Sequence, residues 1–261
     1  MAIFAPTIYY FGQPVSAAAG FIIRTDANAA SVTVAIPGTQ FGSTFGQASF
    51  RSDISGYING GTSLTDANMP LTGSGQTTST TTNFSTVPYS TSMSRPTSTN
   101  MGAMPGTTTN INFGSGNFTV ECWYNAVSGT ADSWSLFSYN AGTGFFGYSS
   151  AGYHRWVAQN ASAGETLVDY AGGNPVNGTW YHIAFTRSGT TWYACLNGTI
   201  RGNLTLSGAV GTTAAFQMMG WVGATMRPTV FQDFRVTKGV ARYTGAVNAT
   251  YTRPSSIVTT A

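Results

Sequence analysis

An all-β, antiparallel β-sandwich is the fold class this chain predicts, and three observations carry it. Short runs of aromatic and β-branched residues recur along the chain, parted by Gly, Asn and Ser. In the clearest runs, apolar and polar residues alternate with a period of two. No period of 3.6 persists long enough for a substantial helix.

Composition bounds the function classes. The chain has 261 residues, of which 42% are hydrophobic, enough for one large β domain. Only 7% are charged, against roughly 25% in an average soluble protein. Solubility therefore rests on hydroxyls and amides, which suits a subunit in a fixed assembly better than a free cytosolic enzyme. The net charge is +3, and the single arginines run from Arg24 to Arg253 with no basic cluster. A phosphate backbone wants such a cluster, so nucleic acid is not an expected partner. These guanidiniums are expected to bond loop carbonyls and carboxylates one at a time. No apolar run is long enough to insert in a membrane. The first residues lack a basic n-region and carry Pro6, so synthesis in the cytoplasm without a signal peptide is expected.

In chain order, residues 1–24 form an apolar lead-in: Ile8, Tyr9, Tyr10 and Phe11, then Phe21, Ile22 and Ile23. Free apolar surface of that size is avoided by monomers, so these residues are expected to anchor the chain on a neighbouring subunit. Residues 25–110 are rich in Thr, Ser, Gly and Asn. Within them Val32, Val34 and Ile36 alternate as a half-buried strand should. The run Gly73 to Asn83 reads as a surface loop or an exposed strand.

Residues 111–254 hold the clearest strands. In 117–124, Phe118, Val120, Cys122 and Tyr124 oppose Thr119, Glu121 and Trp123. Strands follow at 134–139, 145–148, 153–158, 216–219 and 231–236. Between them, 180–196 is a hairpin closed at Ser188-Gly189 and followed by an Asn197-Gly198 turn. On its first arm Tyr181, Ile183 and Phe185 take one face, and His182, Ala184 and Thr186 the other. Cys122 and Cys195 both lie inside strands and read as buried free thiols.

Two stretches carry a family resemblance. One is 179–202, with its Thr-Trp-Tyr-His start. The other is Phe231-Gln-Asp-Phe-Arg-Val-Thr-Lys-Gly-Val-Ala-Arg-Tyr243, followed by Tyr251-Thr-Arg-Pro254. Together they resemble the laminin G-like, concanavalin A-like jelly roll, in the form found in bacteriophage virion proteins. The resemblance spans 25–255, is strongest over 111–254, and leaves 256–261 as a C-terminal tail. Asp26 to Pro37 looks like the strand that opens many such domains. Phe118-Thr-Val and Ser135 to Tyr139 are similar to the pentraxins, whose strand-to-strand disulfide would fall on Glu121 and Ala184.

What the resemblance implies is a non-enzymatic virion structural protein, foremost a capsid decoration protein displaying a lectin-like jelly roll on the virion surface. Its partners would be other virion subunits and further copies of itself. The alternative is a tail fibre or receptor-binding adhesin that engages host-surface glycans. Fold alone does not decide between them.

The candidate chemistry is sparse. Jelly-roll glucan hydrolases carry Glu-x-Asp-x-x-Glu on one strand, supplying a paired nucleophile and acid. Glu121 and Glu165 lack that neighbourhood, so no catalytic residues are expected. His182 is expected to pack or to bond a backbone group, and His154 lies in an aromatic strand. Laminin G-like relatives often bind Ca2+ through paired loop acids. Here Gln232-Asp233 stands where the pair would be, and no metal or cofactor is assigned. Asp233 is expected to accept bonds from backbone, Arg235 or Arg242. Trp134, Tyr139, Tyr148, Tyr153 and Trp156 cluster with Phe146 and are candidates for glycan stacking. The same rings are what a sandwich needs to fill its interior.

Overall fold

The computed structural model describes residues 9–10, 13–14, 32–36, 77–79, 83, 92–95, 102–104, 113–126, 134–140, 145–150, 153–160, 164–172, 175–210, 215–218 and 229–255. Among them are sixteen strands. They are β1 (Tyr9–Tyr10), β2 (Gln13–Pro14), β3 (Val32–Ile36), β4 (Thr77–Ser79), β5 (Ser92–Arg95), β6 (Gly102–Met104), β7 (Phe118–Ala126) and β8 (Trp134–Asn140). After these come β9 (Phe145–Ser150), β10 (Tyr153–Asn160), β11 (Gly164–Gly172), β12 (Trp180–Ser188), β13 (Thr191–Leu196), β14 (Thr199–Thr205), β15 (Ala215–Met218) and β16 (Thr229–Lys238).

Eight of them form one sheet, in the order β14-β13-β12-β7-β16-β5-β4, with β3 also paired to β16. Six form a second sheet, β11-β10-β9-β8-β15-β6, and β1 pairs with β2. The pairings are antiparallel throughout, as expected for an all-β jelly roll. β7 lies between β12, about sixty residues downstream, and β16 near the end of the chain. The opposed pair Glu121 and Ala184 matches the two positions that the pentraxin likeness singles out.

Turn chemistry sets the hairpin registers. Asn197 and Gly198 have φ of 49° and 88°, the left-handed pair that a two-residue type I′ turn requires. Asn197 also accepts the His182 N–H on Oδ1 at 2.8 Å. At the other end Gly189, φ 58°, turns β12 into β13. There Arg187 donates to the carbonyls of Gly189, Gly114 and Gly208, at 2.9, 2.9 and 2.6 Å. Its guanidinium lies 5.1 Å from the Trp192 ring centroid. One buried arginine thus ties three turns together, the isolated role expected of this chain's cations.

The interior face of the large sheet carries Phe118, Val120, Cys122, Tyr124, Ile183, Phe185, Trp192, Ala194 and Val236, all buried. The six-stranded sheet closes over it. Trp156 of β10 is wholly buried and donates its indole N–H to the Ala184 carbonyl at 3.0 Å. His154 of β10 bonds the Tyr124 hydroxyl. Phe113 stacks on Phe118 at 4.4 Å, and Trp192 meets Phe118 edge-on. Cys122 and Cys195 are free and buried, as expected.

The opposite face of the same sheet is polar yet equally buried. Thr119, Glu121, Asn125, His182, Thr186, Gln232, Arg235 and Thr237 are all shielded from solvent. What covers it, among the described residues, is mainly the segment 239–255, a strap that leaves β16 and crosses back over the strands.

Several expectations fall on residues outside this description. For Ile8, Phe11, Phe21, Ile22 and Ile23 nothing is described. Tyr9 and Tyr10 are described only as backbone of β1. The run 73–83 contains β4, at the end of the large sheet's strand order.

Candidate functional site

The most elaborate side-chain constellation described is built around Glu121 and the strap. Glu121 sits mid-way along β7, opposite Ala184 on β12 and Arg235 on β16. Ala184 is small enough to leave the carboxylate room. Oε1 accepts from Arg235 Nε at 2.9 Å and Nη2 at 2.8 Å. Arg242 Nε adds charge at 3.5 Å from Oε1, while donating to Thr237 Oγ1 at 2.7 Å. Oε2 accepts the Tyr243 hydroxyl at 2.5 Å and lies 3.2 Å from His182 Nε2. The other ring nitrogen of His182, Nδ1, lies 2.8 Å from the Tyr251 hydroxyl.

Electrostatics order the protons along this chain. Burial pushes the Glu121 carboxyl up, but Arg235, followed by His182 and Arg242, outweighs it and holds the group far below the usual carboxylate range. His182 is pushed down by burial, against the pull of Glu121, so it is neutral at pH 7. A neutral imidazole facing a carboxylate through Nε2 carries its N–H there and accepts the Tyr251 O–H at Nδ1. Burial, reinforced by the Glu121 charge, raises Tyr243. Tyr251 is raised chiefly by burial. The Tyr251–His182–Glu121 series has the connectivity of a proton relay. Its chemistry runs the other way, because the phenol is hard to ionise and the carboxylate is already spent on a guanidinium.

The arrangement is a clasp. The strap is laced to the sheet by backbone as well. Gly239 N donates to Asn117 O at 2.7 Å, Arg242 N to Thr119 Oγ1 at 3.0 Å, and Tyr251 N to Gly198 O at 2.8 Å. Ile200 N donates to Ala249 O at 2.9 Å, and Thr199 bridges Thr250. The Tyr243 and Tyr251 rings meet at a tilt, 4.3 Å between centroids, and Arg253 lies 5.3 Å from the Trp123 ring centroid. The motif Thr237 to Tyr243 and the later Tyr251-Thr-Arg253 are therefore clasp residues.

His182 packs, as expected, against the rings of Trp123, Tyr243 and Tyr251, while its ring nitrogens bond Glu121 and Tyr251 side chains. Arg235 pairs with Glu121, with Arg242 close behind; the acceptor role expected of Asp233 falls on a side chain outside the described residues. A signal for Glu121 was available: a strand buried on both faces puts a lone carboxylate inside, where it must find a cation.

The glycan-stacking candidates fall on neighbouring rungs of the six-stranded sheet. The backbone puts Trp134 opposite Ser149, Tyr139 opposite Phe145, Tyr148 opposite Ser135, Tyr153 opposite Ser150 and Trp156 opposite Gly147. Each thus lies on a different rung of the six-stranded sheet. Trp156 is buried in the interior and presents no stacking surface, so it is a core residue. The side chains of Trp134, Tyr139, Tyr148 and Tyr153 are outside the described residues. Among the described residues no group of His, Cys, Asp and Glu is placed to hold a metal ion.

Two antiparallel sheets, one strapped on its outer face, define a jelly-roll sandwich of the lectin and glucanase type. Residues 100–240, more than half of the chain, match the Laminin_G_3 family model, described as the concanavalin A-like lectin/glucanases superfamily, and the chain belongs to that family. None of the curated proteins matches it. Among solved structures, it is similar to the botulinum neurotoxin serotype D binding domain, at 11% identity and a TM-score of 0.52, over 82% of this chain and 49% of that one. It is also similar to the binding domain of Paraclostridial Mosquitocidal Protein 1, at 10% identity and a TM-score of 0.51, over 81% and 50%. A third is the receptor binding domain of botulinum neurotoxin mosaic serotype C/D, at 9% identity and 0.51, over 82% and 49%. The chain spans about half the length of these structures. At such identity the likeness is one of fold, and these similar structures are toxin binding domains, not virion proteins.

Proposed function

We propose that this chain is a non-enzymatic binding module, a receptor-binding adhesin that engages glycans on a host surface. The observation that carries this reading is the state of Glu121. In a fold shared by lectins and glucanases, hydrolysis needs a free pair of carboxylates. The carboxylate buried in this sheet is bonded at both oxygens and covered by the strap. That supports the lectin side of the family. The receptor-binding toxin domains that share the fold support the same direction. The resemblance of the 179–202 and 231–254 stretches to phage proteins supports placement on a virion, as a tail fibre or receptor-binding protein ahead of a capsid decoration protein.

The test is a glycan array probed with the full chain, beside a glucan hydrolysis panel. Saturable binding to a subset of glycans without sugar release is expected. Turnover that disappears in Glu121→Gln would overturn the non-enzymatic reading. Failure to bind any glycan, with the protein still found on particles, would restore the decoration role.

A further inference from the structure

Asn125 closes the row Thr119, Glu121, Trp123, Asn125 on the strapped face of β7. Its first three members are bonded or stacked. Asn125 is 1% exposed, and neither Oδ1 nor Nδ2 has a hydrogen-bond partner. A buried amide with both atoms unsatisfied destabilises the fold that keeps it. A leucine of similar volume would pack there without that loss. Residues that cost stability and persist are characteristic of binding sites.

The surroundings indicate the ligand. Register places Trp180 of β12 and Val230 of β16 directly opposite Asn125 on the same face. Trp123 precedes it by two positions. Val230 and Trp123 are buried, whereas Trp180 is only half-buried. The amide is thus bordered by two indoles, one of them open to solvent and able to turn about its own rotamers. Among the described residues, the Arg253 guanidinium lies over the Trp123 ring. An anion would call for several cations. A side-by-side donor and acceptor beside an aromatic face suits two adjacent hydroxyls on an apolar ring.

We propose that Asn125 and Trp180 form a subsite for a neutral pyranose, the amide bonding vicinal hydroxyls and the Trp180 indole stacking on the sugar's C–H face. Entry is by rotation of the Trp180 side chain. This rests on the glycan-binding reading and adds its location.

The test uses the full chain and an array of neutral hexose- and N-acetylhexosamine-terminated oligosaccharides, followed by titration of the best binder. Asn125→Leu is expected to weaken binding at least tenfold while leaving Tm unchanged or raised. Trp180→Ala is expected to weaken it at least tenfold, and Trp180→Phe by less. If Asn125→Leu and Trp180→Ala bind as the parent does, the subsite is wrong and glycan binding stands. If the parent binds nothing on the array, both fall. If Asn125→Leu lowers Tm sharply or fails to fold, the amide serves the fold and the subsite is overturned, whatever Trp180→Ala does.

Discussion

A carboxylate at 1% exposure survives inside a β-sheet only if its charge is answered, and Glu121 is answered by Arg235, Tyr243 and His182 together. Glu121→Gln would keep the shape and strand Arg235 without its counter-charge. A loss of about 3–5 kcal/mol is expected, read as a lower urea midpoint. A second residue sets the acid response. His154 is pushed down to about 4, from an ordinary 6.5, by burial and then by the Arg201 charge. The unfolded chain then binds a proton in the window between those values and the folded chain does not. Stability is therefore full above pH 6.5 and falls as pH drops toward 4. The group accounts for about 3 kcal/mol across the window. Chemical denaturation at a series of pH values should show a shallower decline between pH 6.5 and 5 for His154→Gln. Neither residue's role was legible by motif. Both follow from a rule about burial, once the strand is known to be covered on both faces.

At the scale of elements, period-two patterning carried most of the reading. The strand around Phe118 to Tyr124, the hairpin from Trp180 to Leu196 and the last strand around Phe231 to Val236 all appear; the hairpin keeps its expected bounds, the first strand runs on to Ala126, and the last extends two residues at each end. Thr199–Thr205 was hidden because Arg201, Gly202 and Asn203 interrupt its alternation; its partner β13 and the strap supply what the pattern lacks. Gly164–Gly172 was hidden by glycines at both ends. The strap was legible as a family signature but not as a structural element, since its backbone is irregular and its purpose lies across the sheet. It passes close over Gly198, where φ is 88° and an added Cβ would sit 3.3 Å from the Tyr251 carbonyl oxygen. Gly198→Ala should cost about 1–2 kcal/mol through strain and a loosened strap. Equilibrium unfolding with an unchanged m-value would register it. The same reasoning explains Trp180, which is half-buried, so its truncation should cost less stability than that of the wholly buried Phe185.

For the whole molecule, the scarcity of charge has a measurable sign. Surface ion pairs are screened by salt, but the Glu121–Arg235 pair is buried and screened little. Tm should therefore shift by no more than a few degrees between low and high NaCl in differential scanning calorimetry. A steep salt dependence would show that long-range charge matters more than a 7% charged sequence suggests.

The clasp also dictates when the protein can become itself. The ion pair joins residues 114 positions apart, and the strap that seals it is made near the end of the chain. During synthesis the strapped face of β7 would wait uncovered until β16 and then Tyr243 and Tyr251 leave the ribosome. Non-local pairing of this kind is slow, with folding on the order of milliseconds to seconds. A polypeptide cut short before Tyr243 would leave the polar face around Glu121 bare. Quality control would meet an adhesive intermediate in place of a partly working protein.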